Sequence, residues 1–154
     1  MKNLKILFLP MLFFIVYNGL QAQKMNNQKI DKILKSNVDS VGGQTGAWQF
    51  KYFDRYFLLL TDEKNNRMRI ISPIIEENKL DKDLLAKCLK ANFHTALDVK
   101  YALSQEILWS VYIHPLKELS QAQLVDAIKQ VYRAAATFGY SFSSTDLIFG
   151  GEDE

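Results

Sequence analysis

Apolar residues recur along this chain at two spacings, three-to-four and two, and the alternation between them decides what it can fold into. Ile30, Ile33, Leu34, Val38 and Val41 follow the wider spacing with lysines and aspartates between them. This predicts a short amphipathic helix ended by Gly42 and Gly43. The period then falls to two. In "AWQFKYF", Trp48, Phe50 and Tyr52 share one side and Gln49 and Lys51 the other, the pattern of a half-buried strand. Asp54 and Arg55 make the turn into "YFLLLT", a more fully buried strand. The polar loop "DEKNN" leads to "RMRIISPI", where Met68 and Ile70 oppose Arg67 and Arg69. Pro73 cannot donate to a ladder, so it belongs near that strand's end or at an edge.

"LDKDLLAKCLKANF" returns to helical spacing, with Leu84, Leu85, Cys88, Leu89 and Phe93 as its stripe and Asp81 and Asp83 at the positive end of the dipole. "ALDVKYALS" and "ILWSVYIHP" alternate again and pair with each other. Ser120 and Gln123 have capping-box spacing ahead of Leu124, Ile128, Val131, Ala135 and Phe138, and Gly139 supplies the stop. From about residue 140, "YSFSSTDLIFGGEDE" reads as a flexible tail with apolar anchors and an acidic end. The order is α-β-β-β-α-β-β-α. It predicts a two-layer α+β domain in which helices cover one face of a five-stranded antiparallel sheet.

The N-terminal residues belong to none of these elements. Lys2 and Lys5 precede the apolar run "ILFLPMLFFIV", which is shorter than the roughly 20 residues of a spanning helix. The order cationic, apolar, small is that of a secretory signal peptide, residues 1–22, cut between Ala22 and Gln23. The expected address is periplasmic or secreted, and residues 23–154 form a single domain. Without Lys2 and Lys5 the mature chain carries 17 basic and 17 acidic residues. No cationic surplus remains to hold a nucleic-acid backbone. Cys88 is alone, so no internal disulfide staples this domain and its core must hold it.

Catalytic groupings are scarce. His114 closes an apolar run before Pro115, and Ser110 lies four residues back, roughly 13 Å along a strand. That is too far for a nucleophile and its base. His94 is the only other histidine, and no zinc-ligand spacing or phosphate loop is present. The chain is expected to be no enzyme and to need no cofactor or metal. A rival reading makes it an enzyme or small-molecule binder, with His114, Arg67, Arg69 and Tyr112 converging on a pocket. Another makes it a structural subunit of an envelope complex that docks through Leu147 to Phe149.

Aromatic residues are the more telling surplus, at 12% of the chain. Phe53, Tyr56, Trp109, Tyr112, Tyr132 and Tyr140 compete for places that one covered sheet face does not obviously supply. Exposed apolar patches commonly mark partner surfaces. Trp109, Tyr112, His114 and Tyr132, on the last strands and the final helix, are the candidate partner-binding residues.

The order of elements, with "WQFKYFDRYFLLLT", "RMRIISPI", "LLAKCLKANF", "ALDVKYAL" and "LWSVYIHPLKELSQAQLVDAIKQV", resembles the YbjN / type III secretion chaperone-like proteins over about residues 26–151. The resemblance implies a small α+β domain, a homodimer that binds a protein or peptide partner and uses no cofactor. It also implies that apolar patches hold an extended partner segment.

Overall fold

Each predicted change of period becomes a change of element in the computed structural model, which describes residues 24–147. The signal segment with its cut at Ala22/Gln23, and residues 148–154, lie outside the described residues. The chain forms α1 (Asn27–Asn37), β1 (Ser40–Gln44), β2 (Ala47–Tyr52), β3 (Arg55–Asp62) and β4 (Arg67–Glu76). A 3-10 turn (Glu77–Lys79), α2 (Lys82–His94), β5 (Lys100–Ser104), β6 (Ile107–His114) and α3 (Gln121–Ala136) follow. The strands make one antiparallel sheet in the order β1-β2-β3-β4-β6-β5.

The sheet has six strands, not five. Asn26 caps α1 by accepting from the Lys29 amide at 3.0 Å, and Ile30, Ile33 and Leu34 form its buried stripe. Val38 still donates to the Leu34 carbonyl but is already extended, so the helix ends at Asn37, before the glycines. The segment from Ser40 to Gln44 then pairs with β2. Val41 is the only large apolar side chain in that strand, and this is why it passed for the last turn of a helix.

Pro73 keeps an edge-like place: the ladder between β3 and β4 ends at Ile71, so at Pro73 the strand pairs with β6 alone, and its register shifts between Pro73 and Ile75. One further expectation shifts. Leu97 is no strand residue: its φ of 42° places it in the turn that precedes β5.

α1 and α3 cover one face of the sheet. Trp48 of β2 donates to Asp31 of α1 at 3.3 Å, and α3 packs across β4 and β6. Small residues allow that close approach. Ser110 and Ser72 are fully buried under α3, and the Ser110 hydroxyl donates to the Val131 carbonyl at 3.0 Å. Leu124, Ala127, Ile128, Val131 and Ala134 complete the helix side of the core. The capping box expected at Ser120 and Gln123 is formed, with bonds of 3.1 and 2.8 Å.

α2 lies along the β5 edge. Its Asn92 side chain accepts from the Tyr101 amide at 2.7 Å and donates to the Tyr101 carbonyl at 3.1 Å, so a side-chain amide fills the place of a further strand. β1, at the opposite edge, is exposed along most of its length. The expected tail is hydrogen-bonded to the body as far as Asp146. Phe142 is buried against Tyr101 and Phe138, Thr95 donates to the Phe142 carbonyl at 2.7 Å, and Asp146 pairs with Arg133 at 3.2 Å.

Two glycines test this account of the backbone. A Cβ at Gly43 (φ 96°) would stand 2.4 Å from the Ala47 carbonyl oxygen, whereas one at Gly139 (φ 86°) would meet nothing within 4 Å. Gly43→Ala is expected to cost about 1–3 kcal/mol of unfolding free energy in urea titration, by strain and clash together. Gly139→Ala, with strain alone, is expected to cost about 1 kcal/mol.

Candidate functional site

Among the described residues, no helix covers the second face of the sheet, and alternation along the strands shows what it carries. Phe57 and Leu59 of β3, Met68 and Ile70 of β4, and Leu108 and Tyr112 of β6 point into the core. Their neighbours Tyr56, Leu58, Leu60, Ile71, Val111 and Ile113 point the other way. Register places them side by side. Leu58 stands opposite Ile71, which stands opposite Val111, while Leu60, Arg69 and Ile113 form the next row. Pro73 and Trp109 form the row on the other side.

The result is an apolar band three strands wide. Leu58, Ile71, Trp109 and Val111 are half-buried by one another, and Tyr56 and Ile113 are 70% and 54% exposed. Polar groups rim it. Lys51 lies 5.8 Å from the centre of the Tyr56 ring, Trp109 donates its indole N–H to the Ser104 carbonyl at 3.0 Å, Arg67 and Lys100 are exposed, and Arg69 alone stands inside the band, between Leu60 and Ile113. An apolar centre with a charged rim is the anatomy of a protein-binding surface.

The four residues expected to contact a partner do not share one surface. Trp109 belongs to the apolar band. Tyr112 is 5% exposed on the covered face. His114 follows Tyr112 on that same side at the strand end. Its ring stacks on Tyr112 at 6.0 Å and its Nδ1 donates to the Pro115 carbonyl at 2.7 Å. Tyr132, on α3, is half-buried against Tyr52 and Phe53 at 5.6 and 5.2 Å.

The pocket that the catalytic reading required is not formed, because Arg67 and Arg69 leave β4 on the open face and His114 leaves β6 on the covered one. Ser110, buried and bonded to Val131, faces no nucleophile's task either. Among the described residues, no three of His, Cys, Asp and Glu lie together as a metal site. Burial pushes the Cys88 thiol up to about 11, which keeps it a small protonated hydrophobe.

Sequence reasoning missed most of the band. "YFLLLT" is expected to be the more fully buried strand, yet Leu60 is exposed and Leu58 only half-covered. The helical stripe of α2 was also misplaced. Cys88 and Ala91 face the core, whereas Leu89 and Phe93 are 70% and 78% exposed. Hydrophobicity was visible in both segments, but the number of layers that would cover them was not.

No family model matches the sequence, and no curated protein matches it. Solved structures do. A chain of the HopA1–SchA chaperone–effector complex superposes with a TM-score of 0.56 at 14% identity, covering 70% of this chain and 88% of that one. The structure of the Yersinia pestis type III secretion chaperone SycH with a fragment of YscM2 gives 0.56 at 11%, covering 73% and 98%. The ExsC–ExsE complex gives 0.56 at 11%, covering 72% and 92%. At these identities the likeness establishes a secretion-chaperone-like fold.

Tyr112 yields a pH-dependent prediction. Burial, followed by the Asp98 and Asp126 carboxylates, pushes its phenol up to about 12. The unfolded chain, with its phenol near the ordinary value of 10, loses the proton first, so this contribution is complete below pH 10 and is lost as pH rises towards 12. Tyr112→Phe should flatten the fall in unfolding free energy between pH 10 and 12, measured by chemical denaturation. An unchanged slope would remove Tyr112 as its source.

Proposed function

We propose that this chain is an exported, non-enzymatic, chaperone-like module that holds an apolar segment of a partner protein on the open face of its sheet. The single observation that carries the reading is the uncovered band of Tyr56, Leu58, Leu60, Ile71, Val111 and Ile113. Burying such a band in a partner gains roughly 25 cal/mol per Å² of apolar surface, and one side of a solvated sheet has no other structural reason to carry it. The fold it shares with the three complexes supports the same reading, since each was solved with a protein partner. The YbjN-like element order belongs to this proposal, as does the homodimer, for which the exposed β1 edge offers a strand-to-strand joint. Address belongs to it as well: the module works outside the cytoplasm after the cut at Ala22/Gln23.

The test uses three baits prepared from envelope extract: the natural chain, Leu58→Lys/Ile113→Lys on the band, and Leu89→Lys on α2. A partner retained by the first and third and released by the second, with melting temperatures within a few degrees, is the expected result. Retention by all three baits, or by none, would overturn the assignment of the band. N-terminal sequencing of the chain recovered from the envelope should begin at Gln23, and a chain still beginning at Met1 would remove the exported part of the proposal. Light scattering over a dilution series should give the mass of two copies, and a mass of one copy at every concentration would remove the homodimer.

A further inference from the structure

A segment laid on the face of a sheet, unlike one added at its edge, meets side chains and no free backbone groups. Beneath the open band the backbone groups are already engaged, since β4 pairs with β3 from Arg67 to Ile71 and with β6 from Met68 to Pro73. An extended occupant would press its own amides and carbonyls against an apolar surface without partners, whereas a helix satisfies its backbone internally. The covered face of the same sheet shows that solution, with α3 lying across β4 and β6. The dimensions agree. From the Pro73–Trp109 row to the Leu60–Arg69–Ile113 row the band runs roughly 13 Å along the strands, at ~3.3 Å per residue. About nine helical residues cover that length, and a helix about 10 Å in diameter matches the width of three strands.

Charge narrows the kind of helix. Among the described strand residues on this side stand four cations, Lys51, Arg67, Arg69 and Lys100, and two acids at its opposite ends, Asp62 and Glu76. Both acids are held by their own chain: Asp62 accepts from the Asn65 side chain at 2.7 Å, and Glu76 pairs with Lys79 at 3.0 Å. Arg67 and Lys100 donate to the Asn66 and Leu97 carbonyls. Arg69 differs from these. It is exposed between Leu60 and Ile113, and among the described residues it has neither an ion-pair nor a hydrogen-bond partner. Any occupant of the band takes water away from that guanidinium, so it must supply a carboxylate or leave a charge buried and unpaired. A second copy laid face to face would bring cations against cations, which argues against self-pairing here.

We propose that the occupant of this face, granted the partner surface proposed above, is an acidic amphipathic helix of another protein. Its apolar stripe lies over Leu58, Ile71 and Val111, and a carboxylate at the end of that stripe meets Arg69. The forked donors of the guanidinium hold the carboxylate in one orientation and so set where the helix stops. Lys51, beside Tyr56, and Lys100, beside Val111, face acids on its two flanks.

Three fluorescein-labelled synthetic peptides of about 18 residues test this, a length that spans the band yet is marginal as an isolated helix. All carry one leucine stripe at helical spacing. The first has glutamates on both flanks, the second has lysines in their place, and the third is the first with two central prolines. Fluorescence anisotropy with the purified chain should give the acidic peptide a dissociation constant about tenfold or more below those of the other two. Far-UV circular dichroism of that mixture should show helix gained over the sum of its parts. Arg69→Glu should weaken the acidic peptide about fivefold or more and tighten the lysine peptide. Leu58→Ser/Ile113→Ser should weaken the acidic peptide by about as much through loss of the apolar seat.

A proline peptide that binds as tightly as its parent would overturn the helix, and a lysine peptide that does so would overturn the acidic pairing. Binding unchanged by Leu58→Ser/Ile113→Ser would place the peptide elsewhere and overturn the proposal, as would a preference for phosphatidylglycerol vesicles over the acidic peptide. If no peptide binds while the Leu58→Lys/Ile113→Lys bait still releases its partner, the acidic helix is overturned and the partner surface stands. Failure of both experiments removes the two together.

Discussion

The rest of this structure depends on how closely α3 lies against β4 and β6. Ser72 and Ser110 leave no bulk beneath the helix, and Ala127, Ala134 and Ala135 leave little on its own underside. The Ser110 hydroxyl reaches the Val131 carbonyl, so the polar cost of placing a serine there is offset by a hydrogen bond within the core. With α3 seated and α1 beside it over Trp48, one face of the sheet is filled. Among the described residues no helix remains for the second face, because α2 is committed to the β5 edge. The exposed band is thus a consequence of where the helices go.

Charge and polarity are handled on the same principle. Gln130 is a polar residue in the buried stripe of α3. Its amide donates to Asp126 at 2.7 Å and to Asp98 at 3.3 Å, and its oxygen lies 3.4 Å from both the Asp98 amide and the Ser144 hydroxyl. One side chain thereby ties the turn before β5, the last helix and the C-terminal segment together. Buried networks of this kind fix a single arrangement when every member is satisfied. No buried side-chain nitrogen or oxygen among the described residues lacks a partner.

Much of the fold was legible in the sequence. The alternation through Trp48, Phe50 and Tyr52 and through Met68 and Ile70 gave both the strands and their inward sides, and Ser120 with Gln123 marked the start of α3 to the residue. What escaped has physical causes. A strand such as β1, with one apolar side chain and two glycines, produces no period of two. In α2, Leu89 and Phe93 are as apolar as Leu84 and Cys88, and only the placement of β5 decides which of them is covered. The band on the sheet escaped for a related reason: Leu58 and Leu60 are the same residue as the buried Leu59, and only the side on which the helices lie separates them. Local pattern specifies a strand, whereas its two sides become different only through tertiary packing.

The amide of Asn92 at the β5 edge bears on assembly as well as on folding. An edge strand is a template, and a sheet with two free edges can add copies without end. Here one template is occupied by a side chain of the same molecule. Two copies joined at β1 would form a composite sheet whose outer strands each carry an asparagine side chain on the Tyr101 backbone. A single asparagine thus makes the two ends of the sheet unequal, with β1 open to a partner strand and β5 engaged at Tyr101 by its own chain.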